Sequence, residues 1–218
     1  LDLGGAVFPF MCSKAGTVAG IPARVSRISF SGELAFEISV DANLGLALWE
    51  EVMGAGQKFN ITPYGTEAMH VLRAEKGYVI VGQDTDGSVT PLDLGMSWIV
   101  SKSKDFIGRR SLSRSDTAKE NRKQLVGLHT QDPMQVLPEG AQLVNAPDVE
   151  KPVPMIGHVT SSYFSANLGH SIALALVKGG ASRMGGTIYA QLMDGHVVPA
   201  SIVDAVFFDP DNERQRRN

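Results

Sequence analysis

Cysteine is almost missing from this chain of 218 residues: Cys12 stands alone, so an internal disulfide is excluded. Its segment, FPFMCSKAG, is rich in turn formers and offers no activating neighbour, so the thiol is given no role. The histidines, at 70, 129, 158, 170 and 196, are scattered without metal-ligand spacing, and no metal site is expected. No apolar run is long enough to span a bilayer, and no basic stretch followed by an apolar one marks a secretory signal. A cytoplasmic chain with no membrane partner is expected. A formal net charge of −3 argues against nucleic acid as a partner. No GxGxxG fingerprint is present. The chain begins at Leu1 rather than Met, and is expected to be part of a longer polypeptide.

What is present is a hydrophobic content of 43%, enough for a real core in one or two domains. The pattern changes near residue 105. Before it, Arg24 to Phe30 alternates weakly and Leu34 to Val40 strongly, with Ser31-Gly32 between them, predicting a β-hairpin. Leu44, Leu48 and Val52, with Trp49 and Met53 beside them, form one apolar helical stripe within residues 42–58. A second helix is expected from about Gly65 to Lys76, stopped by Gly77, and then a short strand from Tyr78 to Val81.

After a helical stretch around Gly108 to Lys119, short strands separated by turn residues take over. The expected strands are Gln124 to His129, Ala141 to Asn145, Ile156 to Ser161, Ser171 to Val177, Thr187 to Met193 and His196 to Val206. Strands without helices between them predict a closed or nearly closed antiparallel barrel. The tail DPDNERQRRN reads as too polar to pack.

Two stretches carry chemistry: SFSGELAFEIS (Ser29 to Ser39) and LRAEKGYVIVGQDTDGSVTPLDLGMSW (Leu72 to Trp98). They resemble the signature of the aminomethyltransferase superfamily, the glycine-cleavage T-protein fold. DFIGRRSL (Asp105 to Leu112) and IGHVTSSYFSANLGHSIALALV (Ile156 to Val177) resemble two further family blocks in the same order. The resemblance implies an α+β fold. Residues 1–104 would be the C-terminal half of the folate-binding domain, a partial ferredoxin-like α/β sandwich. Residues 105–218 would be the C-terminal antiparallel β-barrel domain. It also implies tetrahydrofolate as the cofactor, and that the family's catalytic aspartate lies in a segment with no counterpart here, so no catalytic residue is assigned.

Among family members, transferases move a carrier-bound aminomethyl group, whereas amine-oxidising members capture the oxidised carbon as 5,10-methylenetetrahydrofolate. GELAFEIS and the ending FFDPDNERQRR resemble the amine-oxidising branch, in which FAD, FMN and NAD would bind outside this region and other subunits of the oxidase would be partners. The chain would then supply one wall of the folate site and would not turn over alone.

The resemblance places Glu37 and Arg73 on folate-contacting positions. A pterin presents an amino group and a ring N–H side by side, which match the two oxygens of one carboxylate. Periodicity alone makes Glu37 an ordinary solvent-facing glutamate, since it alternates with Phe36 and Ile38. Arg73 by spacing is a surface arginine or a partner of Glu75 or Glu67; its planar fork suits a carboxylate on ligand or protein. Tyr64, Tyr78 and Gln83 are weaker folate candidates, and core packing explains both tyrosines equally well. Phe207 and Phe208 lie near a family aromatic. Asp84 and Asp86 lack the further ligands of a calcium loop, and GQDTDG reads as a turn. The resemblance leaves an aminomethyltransferase or the folate domain of a dimethylglycine oxidase as alternatives; rival readings are the iron–sulfur assembly branch, disfavoured because Tyr78 replaces its cysteine, and a non-catalytic scaffold between subunits.

Overall fold

The computed structural model of the chain describes residues 1–216. Two compact units are present, one made of Leu1–Leu72 with the C-terminal stretch from Asp209, the other of Arg73–Phe208.

The first unit holds a three-stranded antiparallel sheet, β1 (Ser13–Val18), β2 (Ile21–Ser26) and β3 (Glu37–Ser39), in the order β1-β2-β3. Ala19 and Gly20 join β1 to β2 with φ of 50° and 78°. Two consecutive left-handed residues are what a two-residue hairpin turn needs to follow the twist of its strands. This hairpin was not expected, because Pro22 and the polar Ser13-Lys14 mask its alternation. β2 does pair with β3, through Val25↔Ile38 and Ser26↔Glu37, but strand structure stops at Ser26 and resumes only at Glu37. The expected hairpin is therefore open: Gly32 has φ 83°, and its N–H donates to Ser29 Oγ at 3.0 Å, fixing the turn inside a longer loop.

Helix α1 (Gly45–Gly56) follows a 3-10 turn and buries Leu48, with Leu44, Val52 and Met53 half-buried beside it. The apolar stripe is as expected; Trp49 lies off it and is 55% exposed. Helix α2 (Thr66–Glu75) ends as its sequence demands. Tyr78 N donates to Arg73 O at 2.9 Å and Gly77 N to Ala74 O at 3.0 Å, the paired bonds of a Schellman cap, with Gly77 at φ 67°. A Cβ at Gly77 would come within 2.5 Å of Ala205 O, so glycine is required twice over.

Two expected elements are replaced. Tyr78 to Val81 is no strand: Ile80 O accepts from Gln83 N and Asp84 N, and Ile80 N donates to Asp84 Oδ2, so the backbone is spent on a turn. Residues 108–119 form no α-helix but a 3-10 turn at Arg109–Ser113, followed by a turn closed by Ala118 N donating to Arg114 O at 2.9 Å. Gly108 enters the 3-10 turn at φ 96°, and Thr117 Oγ1 bonds back to the carbonyls of Ser111 and Arg114, the local competition that keeps Ser and Thr from helices.

In the second unit β4 (Lys123–Thr130), β5 (Gln142–Val144), β6 (Gly157–Ser165), β7 (His170–Lys178), β8 (Thr187–Gln191) and β9 (Val197–Val203) close into an antiparallel barrel ordered β4-β7-β6-β5-β8-β9. Val126, Leu128, Leu143, Val159, Ile188 and Ile202 fill it, each at most 1% exposed. Closure removes the unpaired edges that an open sheet leaves. The polar tail does pack: α3 (Glu213–Arg216) receives Asp209 carboxylate oxygens on the N–H groups of Glu213 and Arg214, and Gln215 is buried. Its polarity is matched by partners, which composition does not show.

Candidate functional site

A densely hydrogen-bonded polar centre forms where the end of α2 meets the turn after it and strand β6. Arg73 is fully buried. Its Nη1 donates to Asp84 Oδ2 and, at 3.0 Å, to Tyr78 O; its Nη2 donates to Ser161 Oγ at 2.7 Å. The Tyr163 ring centroid lies 5.9 Å from the guanidinium carbon. Asp84, also fully buried, accepts four bonds: Arg73 and Ile80 N on Oδ2, Thr160 Oγ1 and Ser161 Oγ, both at 2.6 Å, on Oδ1.

Neighbouring residues of a regular strand face opposite ways, so Thr160 and Ser161 should not both reach one oxygen. The β6–β7 register shifts between Val159 and Ser161, and this bulge turns both hydroxyls to Asp84. A buried ion pair is tolerated only when its remaining lone pairs and protons are satisfied. Here the carboxylate is saturated, while Arg73 Nε has no acceptor. Gln83 joins the same cluster, its Nε2 reaching Ser161 Oγ at 3.1 Å and Glu139 Oε1 at 2.9 Å.

Of the residues singled out from sequence, Arg73, Tyr78 and Gln83 are thus brought together in the second unit. Glu37 and Tyr64 belong to the first. Glu37 is exposed at the start of the edge strand β3, and its carboxylate takes no hydrogen bond or ion pair among the described residues. Tyr64 is 64% exposed, before α2. Phe207 stacks on His129, centroids 5.3 Å apart. Burial and the neighbouring His170 push the His129 pKa below its usual value.

From sequence Asp84 was read only as part of a turn, and Thr160 and Ser161 were not singled out. The available signal was Arg73 itself, whose fork needs a carboxylate, with Asp84 eleven positions on. Further along, Asp93 and Arg122 form a second tie: Nε donates to Oδ1 at 2.9 Å and Nη2 to Oδ2 at 2.8 Å. Burial alone would raise the Asp93 pKa, but the Arg122 and Thr90 hydrogen bonds outweigh it and hold the carboxyl below its ordinary value. Among the described residues no cluster of His, Cys, Asp and Glu suits a metal, and no helix is long and apolar enough to cross a membrane.

Comparison with known proteins gives this arrangement a family. The model of the GCVT N-terminal domain matches residues 1–104, and that of the glycine cleavage T-protein C-terminal barrel domain matches residues 123–209. The chain belongs to the glycine cleavage T-protein, or aminomethyltransferase, superfamily. Within it, the chain is similar to the sarcosine oxidase subunit alpha of Corynebacterium sp. (strain U-96), 54% identical over 218 residues that make up 99% of this chain and 22% of that protein. The aminomethyltransferase of Thermotoga petrophila is 34% identical over 88% of this chain and 50% of its own length. The crystal structure of glycine cleavage system aminomethyltransferase T from Bartonella henselae superposes with a TM-score of 0.77 at 25% identity, covering 94% of this chain and 54% of that one. The chain therefore spans about a fifth of the sarcosine oxidase subunit and half of the transferase.

Proposed function

We propose that the chain is the tetrahydrofolate-binding region of a sarcosine oxidase alpha subunit, serving oxidative demethylation of sarcosine with capture of the carbon as 5,10-methylenetetrahydrofolate. Similarity at 54% identity to such a subunit supports the oxidase branch over the transferases. FAD, FMN and NAD would bind elsewhere in that assembly, the other subunits would be partners, and this region alone would be inactive. We place the sequence modules at 1–104 and 105–218.

The observation that carries the folate reading is the carboxylate of Glu37, exposed and unengaged among the described residues at the edge of its sheet. Two free oxygens fit the paired donors of a pterin, and no side chain must be displaced to offer them. Folate supplies the nucleophilic nitrogens that take the carbon, so the residues of this chain bind and orient. Glu37 is the direct contact. Tyr64, exposed, offers an aromatic face. Arg73 acts by position instead: its buried guanidinium holds the carbonyl of Tyr78 and, through Ser161, the side chain of Gln83. Tyr78 and Gln83 are the residues it presents.

Glu37→Lys separates this reading from that of a scaffold between subunits. A folate wall loses binding of 5-formyltetrahydrofolate in equilibrium dialysis, while a scaffold binds the ligand no better before the change than after it.

A further inference from the structure

Arg27 extends the inner row of β2. Val25 is 2% exposed and Arg27, two residues on, 5%. The ladder continues past the strand end, with Arg27 N donating to Cys12 O and Met11 N to Arg27 O, both at 2.9 Å. Since Val25 pairs with Ile38 and Ser26 with Glu37, Arg27 shares the face of Val25 and Ile38, and Glu37 lies on the other.

A cation on the apolar face of a sheet calls for a counter-charge. Nη1 donates to Phe8 O at 2.9 Å and Nη2 to Gln215 O at 3.2 Å, whereas Nε is buried with no acceptor. No carboxylate among the described residues pairs with it. Glu33 is taken by Arg214, and Asp209 by backbone N–H groups. Arg27 also lines a cavity of about 440 Å³, together with Pro9, Phe10, Asn212 and Arg216 among others. A water's share of liquid volume is about 30 Å³, so the space holds more than a bare ion. Arg216 adds a second guanidinium, Asn212 an amide, and Pro9 and Phe10 an apolar wall.

We propose that this cavity binds a small organic carboxylate, its oxygens on Arg27 and Arg216 and its apolar body against Pro9 and Phe10. A free acid and the acid tail of a larger ligand share this chemistry. The site does not rest on the folate reading, because Glu37 is on the opposite face and takes no part in it.

The test titrates the chain with benzoate, succinate and p-aminobenzoylglutamate at constant ionic strength, following arginine side-chain Nε–H signals by NMR. The Arg27 signal, identified by its loss in Arg27→Lys, shifts saturably, and Arg216→Gln weakens binding about tenfold without moving the unfolding midpoint. Binding of aminobenzoylglutamate alone supports the site and assigns it to the tail of a larger ligand; binding of benzoate or succinate supports it as a site for free acids. If Arg27→Lys does not fold, the affinity of Arg216→Gln decides. No saturable shift with any of the acids, or unchanged affinity in Arg216→Gln, overturns the proposal.

Discussion

Arg73 and Arg27 are both buried arginines, one in each compact unit, yet the first meets a saturated carboxylate and the second only neutral carbonyl oxygens. Burial is the same; the account of the charge is not. Where fold and charge close on themselves, as at Arg73, Asp84 and the bulge of β6, the residue serves the architecture. At Arg27 the charge is left uncompensated among the described residues beside a cavity, and there we propose a ligand as the counter-charge. The contrast also separates Arg73 from Glu37, whose carboxylate remains exposed and unengaged among the described residues.

The sharpest way to break this comparison is to give Arg73 the environment of Arg27. Asp84→Asn leaves a buried guanidinium facing only neutral acceptors, and is expected to cost about 3–5 kcal/mol in denaturant unfolding. A loss well under 1 kcal/mol would mean that the pair is not what compensates Arg73. Next in size is Gly157→Ala. Its Cβ would come within 2.3 Å of Leu176 O, a backbone atom of a paired strand, so a loss of about 3 kcal/mol is expected in the same assay.

Asp93→Asn is expected to be milder, about 1.5 kcal/mol at neutral pH. Because the folded pKa of Asp93 lies below its ordinary 3.8, its contribution is full above that value and disappears as pH falls through the folded pKa. Unfolding curves of wild type and variant should therefore converge on acidification below about pH 4. A gap that stays constant down to the acid transition would show that Arg122 gains nothing from the ionised form. Smallest of all, Glu37→Gln should leave the unfolding midpoint unchanged, since no described partner is lost.

The barrel was legible because each of its strands carries a buried row, and six such rows bounded by Gly, Pro, Asn and Asp admit few other folds. The β1–β2 hairpin was not, because Pro22 and the Ser13-Lys14 pair hide its period. Tyr78 to Val81 looked like a strand because an apolar run shows nothing of Asp84, whose carboxylate claims Ile80 N from across a turn. The Asp84 hub depends on a bulge at Thr160, and bulges leave no mark on hydrophobic periodicity. Glu37 was singled out only through family resemblance, since its local pattern is that of any solvent-facing glutamate. Arg27 went unnoticed for the opposite reason: an arginine in line with Val25 reads as weak alternation.

The most direct test of the folate reading is calorimetric titration of the chain and of Glu37→Gln with 5-formyltetrahydrofolate, with unfolding midpoints measured alongside. The account predicts saturable binding by the wild type, weakened about ten- to a hundredfold in the variant at an unchanged midpoint. Equal affinity in both proteins, or no binding by a folded wild type, would contradict it.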